Sequence, residues 1–174
     1  MVKKKLLLCL FALLPILASA QDNRVLTPVI WSQIEKTVKE NPDSVKALVA
    51  RLTLPKLDTT LTMSQRVLAF YGQSYISQGD EMLDAMHMKD SLRAGSSGTL
   101  AMANKVLAKN PLNLEALMCK ATVLFGMAKT NTADSTELKA QARHCMRVAM
   151  RLYNTIASTG RGTAEEPFFV TSVP

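Results

Sequence analysis

The residues whose type and spacing best suit binding chemistry are four cations near the end of the chain: Lys139, Arg143, Arg147 and Arg151. On a helix, residues four apart are neighbours on one face, where like charges repel by about 0.2–0.5 kcal/mol per pair. Cations near a helix C-terminus also complement its dipole, which offsets part of this repulsion. Two interpretations stay open: a solvated face, or a surface whose arginine forks bind an anionic partner such as an acidic protein face or a peptide carboxylate.

The sequence offers little for catalysis. A nucleophilic Ser, Cys or Thr needs a neighbouring base, and the two histidines, His87 and His144, lie in no known nucleophile motif. His144 directly precedes Cys145, and consecutive helical residues do not face each other. Neither a Gly-rich phosphate loop nor a His-Glu-x-x-His pattern occurs. We therefore expect no enzyme, no catalytic residue and no cofactor.

A methionine-rich stretch has the composition of a soft-metal site. Met82, Met86, His87 and Met88 offer thioether and imidazole groups, which could hold Cu(I). Methionine is also a common gap-filler in helical cores, and the chain has ten of them. We therefore expect these residues to pack and predict no metal site, with a metal carrier kept as an alternative.

Two cysteines, Cys119 and Cys145, fall in predicted helices on either side of a loop near residue 133. An antiparallel helix pair would place them at nearly the same height, as a disulfide needs. However, Cys119 points away from the apolar stripe of its helix, whereas Cys145 lies within its own. The spacing favours two small buried hydrophobic residues and leaves a disulfide open.

The polar run Asp58–Thr62 has two interpretations as well. Short hydroxyl and carboxylate side chains form turns and cap helices, and they also line ligand-binding loops. We favour the structural role.

Apolar periodicity predicts that helices position all of these residues. Thr62 and Gln65 form a capping box, Asn41-Pro42 starts a helix, and Asp134 with Glu137 offers a further cap. Only Phe168–Val173 looks like a strand, without a partner strand. The predicted helices are Val29–Lys39, Pro42–Leu52, Met63–Gln78, Asp80–Arg93, Thr99–Lys109, Leu114–Lys129 and Ser135–Ser158.

One helix has the residue order of a tetratricopeptide repeat. Leu68, Tyr71, Gly72 and Tyr75 follow its large, large, small, large order, and Val106–Pro111 resembles the end of its second helix. The small residue would allow close helix approach. We therefore expect an all-α fold of tetratricopeptide-like hairpins, a compact single domain over residues 21–174 with a short extended C-terminal segment.

The first twenty residues predict export. Lys3–Lys5 precede an apolar run and the small residues Ala18-Ser19-Ala20, which is the pattern of a signal peptide over residues 1–20. Because this segment holds three lysines and no acid, its removal lowers the net charge from +7 to +4. That charge, with 5% aromatic residues, favours no nucleic-acid partner. The run is too short for a membrane anchor, so we expect a periplasmic protein without stable membrane insertion.

Four further stretches resemble a known family. Asp58–Thr62, Phe70–Gly72, Asn110–Asn113, and Thr155–Gly162 together with Phe168–Val170, are similar to the landmarks of domain of unknown function 4919, exported proteins of Gram-negative bacteria. The resemblance covers residues 25–173 and implies no activity, cofactor or functional residue. That family usually continues past the position of Pro174, so the resemblance leaves open a truncated C-terminus.

Together these features predict an exported helical module that binds a protein or peptide of the cell envelope. The expected partner has an acidic face that contacts the four cations at 139, 143, 147 and 151. A small-molecule or metal carrier is the alternative, and an envelope enzyme is the third. The sequence does not indicate an oligomeric state.

Overall fold

The computed structural model describes residues 24–131 and 133–171, and the chain is all-α over these residues, without a β-strand. The predicted signal peptide, residues 1–20, lies outside the described residues. The seven helices are α1 (Trp31–Glu40), α2 (Pro42–Leu52), α3 (Met63–Ser77), α4 (Met82–Arg93), α5 (Thr99–Lys109), α6 (Leu114–Thr130) and α7 (Ser135–Ala157).

Local side-chain contacts set most helix ends. Pro42 occupies the first turn of α2, and the Asn41 side chain accepts a hydrogen bond from the backbone of Ser44 at 3.1 Å. The predicted capping box is present at α3: Gln65 N donates to Thr62 Oγ1 at 3.2 Å, and Thr62 N donates to Gln65 Oε1 at 3.0 Å. The predicted signals for both helix starts are confirmed.

Two local predictions are wrong. The side chain of Asp134 does not cap α7; its Oδ2 instead accepts a hydrogen bond from Asn131 Nδ2 at 2.8 Å. The strand-like segment forms no strand between Phe168 and Thr171, and the backbone bends at Thr171. The remainder of that prediction, residues 172–173, lies outside the described part of the chain.

The main core lies where α1, α2, α3, α6 and α7 meet. Gly72 permits the close approach expected of it: a Cβ at this position would lie 2.9 Å from Val45 Cγ1 of α2 and 3.4 Å from Val38 Cγ2 of α1. Consecutive helices pack on one another from α4 to α7, and α3 contacts α1, α2 and α7. The core is centred on the buried side chains of Leu52, Phe70, Tyr71, Leu117, Val148 and Leu152.

A smaller cluster joins α4, α5 and α6. Met88 of α4 and Val106 of α5 pack against Ala116 and Cys119 of α6, so α6 is buried on two faces. No helix in the described ranges is long and apolar enough to cross a membrane. The tetratricopeptide-like arrangement of the hairpins stays a prediction.

Candidate functional site

A groove of about 1130 Å³ runs between α3, α4, the start of α6, the end of α7 and residues 167–171, which we call the C-terminal segment. Ligand sites commonly have about 300–1,000 Å³ and a mostly apolar lining. Large apolar side chains line the groove and remain exposed, among them Met82, Met86, Tyr153, Phe168 and Val170. Its size and lining are those of a binding site.

Hydrogen bonds to a central residue hold the C-terminal segment on the helices. Tyr71 OH donates to Phe169 O at 2.7 Å, and Phe169 N donates to Thr159 Oγ1 at 3.2 Å. The Phe169 ring meets Trp31 edge-on, with 6.3 Å between centroids. Burial of the phenol raises the pKa of Tyr71, so its hydroxyl keeps the proton that it donates.

Neighbouring side chains of the C-terminal segment point to two different surroundings. Phe168 and Val170 line the groove, whereas Phe169 between them packs against Trp31. The preceding turn brings the segment close at Gly160, where a Cβ would collide with the main-chain carbonyl of Pro167. One wall of the groove is therefore a non-helical segment of the chain itself.

The polar side chains of the groove centre on Glu81. This residue is only 8% exposed, and its Oε1 accepts a hydrogen bond from Asn110 Nδ2 at 2.7 Å. Ser77 Oγ lies 3.4 Å from the same oxygen. The other charged residues of the lining pair with each other, with Lys89 Nζ 2.9 Å from Glu115 Oε1.

The four predicted binding cations, here called the basic stripe, do not share one environment. Lys139, Arg143 and Arg147 are exposed on α7, and none of them makes an ion pair with the described residues. They remain available to a partner. The structure therefore keeps three members of the basic stripe on the surface.

Arg151 differs from the expected exposed position, since it is 7% exposed. Its Nη1 donates to Leu52 O at 2.8 Å and to Leu54 O at 2.6 Å, and its Nη2 donates to Pro55 O at 3.3 Å. These carbonyls belong to the end of α2 and the following loop, where a positive charge complements the helix dipole. Arg151 therefore holds α7 to α2 and is not a free binding side chain.

Arg147, one of the three exposed cations, borders a second cavity. This trough of about 750 Å³ lies between the loop after α2 and the outer face of α7, and it is lined by apolar side chains such as Leu57, Met146 and Met150. Arg147 and Lys56 contribute charge to it. Asn154 lines both the trough and the groove, so the two surfaces adjoin along α7.

His144 lies beside these cations. Burial lowers its pKa, and the charges of Arg147, Arg151 and Lys120 lower it further. These effects favour the neutral imidazole. Its buried Nδ1 has no hydrogen-bond partner among the described residues.

The two cysteines are free thiols in separate clusters. Cys145 belongs to the main core, whereas Cys119 packs in the smaller cluster with α4 and α5. Burial raises the pKa of both thiols. The structure holds both residues as buried free thiols.

The methionines of the methionine-rich stretch lie on different faces of α4. Met82 and Met86 line the groove, whereas Met88 is buried in the smaller cluster. Over residues 24–131 and 133–171, no group of three or more His, Cys, Asp or Glu side chains could hold a metal ion.

Asp58 and Thr62 use their side chains within the fold. Asp58 Oδ2 accepts from Arg51 Nε at 2.8 Å, and its Oδ1 accepts from Thr60 N at 2.9 Å. Bonds from Arg51 and Thr60 hold the pKa of Asp58 well below its usual range. With the Thr62 cap, these contacts agree with the structural interpretation of the loop.

Sequence reasoning missed the groove as a site, since its walls come from five separate segments. Comparisons of the chain with protein-family models, curated proteins and solved structures found no match. The resemblance to domain of unknown function 4919 therefore stays a prediction.

Proposed function

We propose that this protein is a helical interaction module that binds an extended segment of a partner protein in the groove. The observation that carries this proposal is the C-terminal segment, because this non-helical stretch of the chain already lies on the same surface and lines the groove with the alternate side chains of Phe168 and Val170. A partner peptide lying beside it would bury Met82, Met86 and Tyr153. Such apolar burial contributes about 25 cal/mol per Å².

The basic stripe extends this surface toward an acidic partner. Its three exposed members lack carboxylate partners among the described residues, and the trough beside them adjoins the groove at Asn154. We therefore propose that acidic residues next to the bound segment contact Arg143 and Arg147. The predicted signal peptide supports a cell-envelope location for the partner.

The test selects peptides from a displayed library on the immobilised full chain and measures their Kd by fluorescence anisotropy. Met86→Glu places a charge in the apolar groove, so we expect it to weaken binding at least about tenfold. Leu83→Glu is the matched control, because Leu83 is exposed at 63% on the same helix and does not line the groove, whereas Met86 is exposed at 57%.

We expect the Leu83→Glu protein to bind like the wild type. Equal weakening by both substitutions, or no selected peptide at all, contradicts binding in the groove. Circular dichroism on both variants checks that each is folded.

The groove also favours a second function, a carrier of an apolar small molecule. Its volume of about 1130 Å³ suits a drug-sized ligand, and flexible methionines adapt to varied shapes. A carrier would bind an uncharged apolar dye more tightly than any selected peptide. Competition between dye and peptide in the same titration distinguishes the two functions.

A further inference from the structure

We infer that the occupant of the groove carries a primary ammonium group, from a lysine side chain or a peptide N-terminus, which pairs with Glu81. The inference rests on the proposed function, because it names the chemistry of the peptide that the groove binds.

The first observation is an unpaired carboxylate oxygen. Glu81 is more than nine-tenths buried in the lining of the groove, and its Oε2 has no hydrogen-bond partner among the described residues. Buried polar atoms nearly always have a partner, because leaving one without a hydrogen bond costs free energy. A donor that arrives with the ligand would supply the missing bond.

The second observation is the charge balance of the groove. Lys89 and Glu115 in the lining pair with each other, so no cation of the groove lining forms an ion pair with Glu81. The cations behind Glu81 are already engaged: Lys105 Nζ lies 2.7 Å and Lys109 Nζ 2.8 Å from the oxygens of Asp84.

The start of α4 supports the negative charge at this position. Glu81 is the residue immediately before the first turn of α4, where the helix dipole favours an anion, and its side chain makes no capping hydrogen bond. Glu81 therefore lies at a helix start without an ion-pair partner in the groove lining. A cationic ligand is the complement that this site lacks.

The geometry favours an ammonium over a guanidinium. Asn110 already donates to Oε1 at 2.7 Å, so Oε2 is the one carboxylate oxygen of Glu81 without a donor among the described residues. Arginine binds carboxylates best through two parallel hydrogen bonds, whereas an ammonium acts as a point charge. The free oxygen therefore matches an amine.

The surroundings match the stem of a lysine. Phe70, Met82 and Met86 line the same groove and would contact the methylene groups, while the ammonium reaches Glu81. The expected ligand is thus an extended peptide with one amine among apolar residues.

The test compares four versions of one apolar peptide on the full-length protein by fluorescence anisotropy. Three have an acetylated N-terminus and carry Lys, Arg or norleucine at the central position. The fourth has norleucine and a free N-terminus. We expect the wild type to bind one of the two amine peptides at least about tenfold more tightly than acetylated norleucine. The tighter of the two identifies the source of the ammonium.

The Glu81→Gln substitution keeps an oxygen that can accept from Asn110 and removes the charge. We expect it to abolish the preference for the amine. The control Glu40→Gln removes the same charge at an exposed residue of α1 that does not line the groove, so it should keep the preference. Acetylation of the peptide amine tests the same pairing on the wild-type protein, so the test does not depend on how Glu81→Gln folds.

The outcomes separate the two proposals. Equal binding of the amine and acetylated norleucine peptides overturns the Glu81 inference and leaves peptide binding in the groove intact. Tighter binding of the arginine peptide overturns the choice of an ammonium. If none of the four peptides and no library peptide binds, the proposed function itself is wrong.

Discussion

A single buried arginine joins the last helix to the end of α2, and its loss should destabilise the fold. Arg151→Met removes the donor for three carbonyl oxygens, those of Leu52, Leu54 and Pro55. We expect the free energy of unfolding to fall by about 2–3 kcal/mol, since each buried acceptor left without a donor is costly. Urea unfolding followed by circular dichroism measures this change.

Arg147→Met is the matched control at the residue scale. Arg147 lies one turn earlier, is exposed and makes no ion pair with the described residues, so we expect a change within about 0.5 kcal/mol. Equal losses in the two variants would show that Arg151 contributes no more than a surface cation.

The position of Arg151 shows how far helical spacing can predict exposure. Residues four apart are separated by about 400°, or 40° beyond a full turn. From Lys139 to Arg151 this excess accumulates to about 120°, so the stripe turns from the solvent into the helix interface. The apolar residues beside Arg151, Val148 and Leu152, indicate this edge in the sequence. Its carbonyl partners lie almost 100 residues away and leave no local signal.

At the scale of helices, two glycines should respond to alanine in opposite directions. In α3, a Cβ at Gly72 would lie 2.9 Å from Val45 Cγ1, which is too close for an unstrained contact. Overpacking of this kind costs about 1–3 kcal/mol and outweighs the gain in helix propensity. We therefore expect Gly72→Ala to lower the free energy of unfolding by about 1–2 kcal/mol.

Gly126 of α6 differs from Gly72 because the space beside its Cα is open. A Cβ there meets no atom within 4 Å, so Gly126→Ala should raise the free energy of unfolding by about 0.5–1 kcal/mol. Urea titrations of both variants at one temperature give the two signs. A stabilising Gly72→Ala would mean that α2 and α3 separate without cost.

The helices were predictable because the residues that start them lie close together in the sequence. The predictions that failed involve either a nearby residue that binds the capping side chain or a partner far along the chain. The Thr62 and Gln65 capping box involves residues three apart. At α7, the nearby Asn131 takes the Asp134 carboxylate that would have capped the helix. The alternation in Phe168–Val173 predicted a strand that the described residues of this segment do not form, because its anchor is a side chain, Tyr71, 98 residues from Phe169.

At the scale of the whole molecule, the binding surface depends on the order in which the helices pack. Methionine is a residue type common in cores, and only the arrangement of α3, α4, α6 and α7 leaves Met82 and Met86 exposed in the groove. The same arrangement leaves Glu81 without an ion-pair partner, because Lys89 pairs with Glu115 and Lys109 pairs with Asp84. No spacing along the chain encodes this convergence.

The adjoining groove and basic stripe predict that one ligand uses both surfaces. Arg143→Glu with Arg147→Glu should weaken a groove peptide that carries an acidic extension at least about tenfold, because attraction becomes repulsion. The same peptide without the extension should bind unchanged. Thermal unfolding should not change, since neither arginine makes an ion pair with the described residues.

Lys36→Glu with Lys46→Glu gives the same change in net charge on α1 and α2, where both lysines are exposed. If the stripe is the contact, this control keeps the affinity for the extended peptide, and added salt weakens binding to the wild type more than to the arginine variant. If both double variants weaken peptide binding equally, the net charge of the protein is responsible. A local contact requires that only the substitutions on α7 lower the affinity.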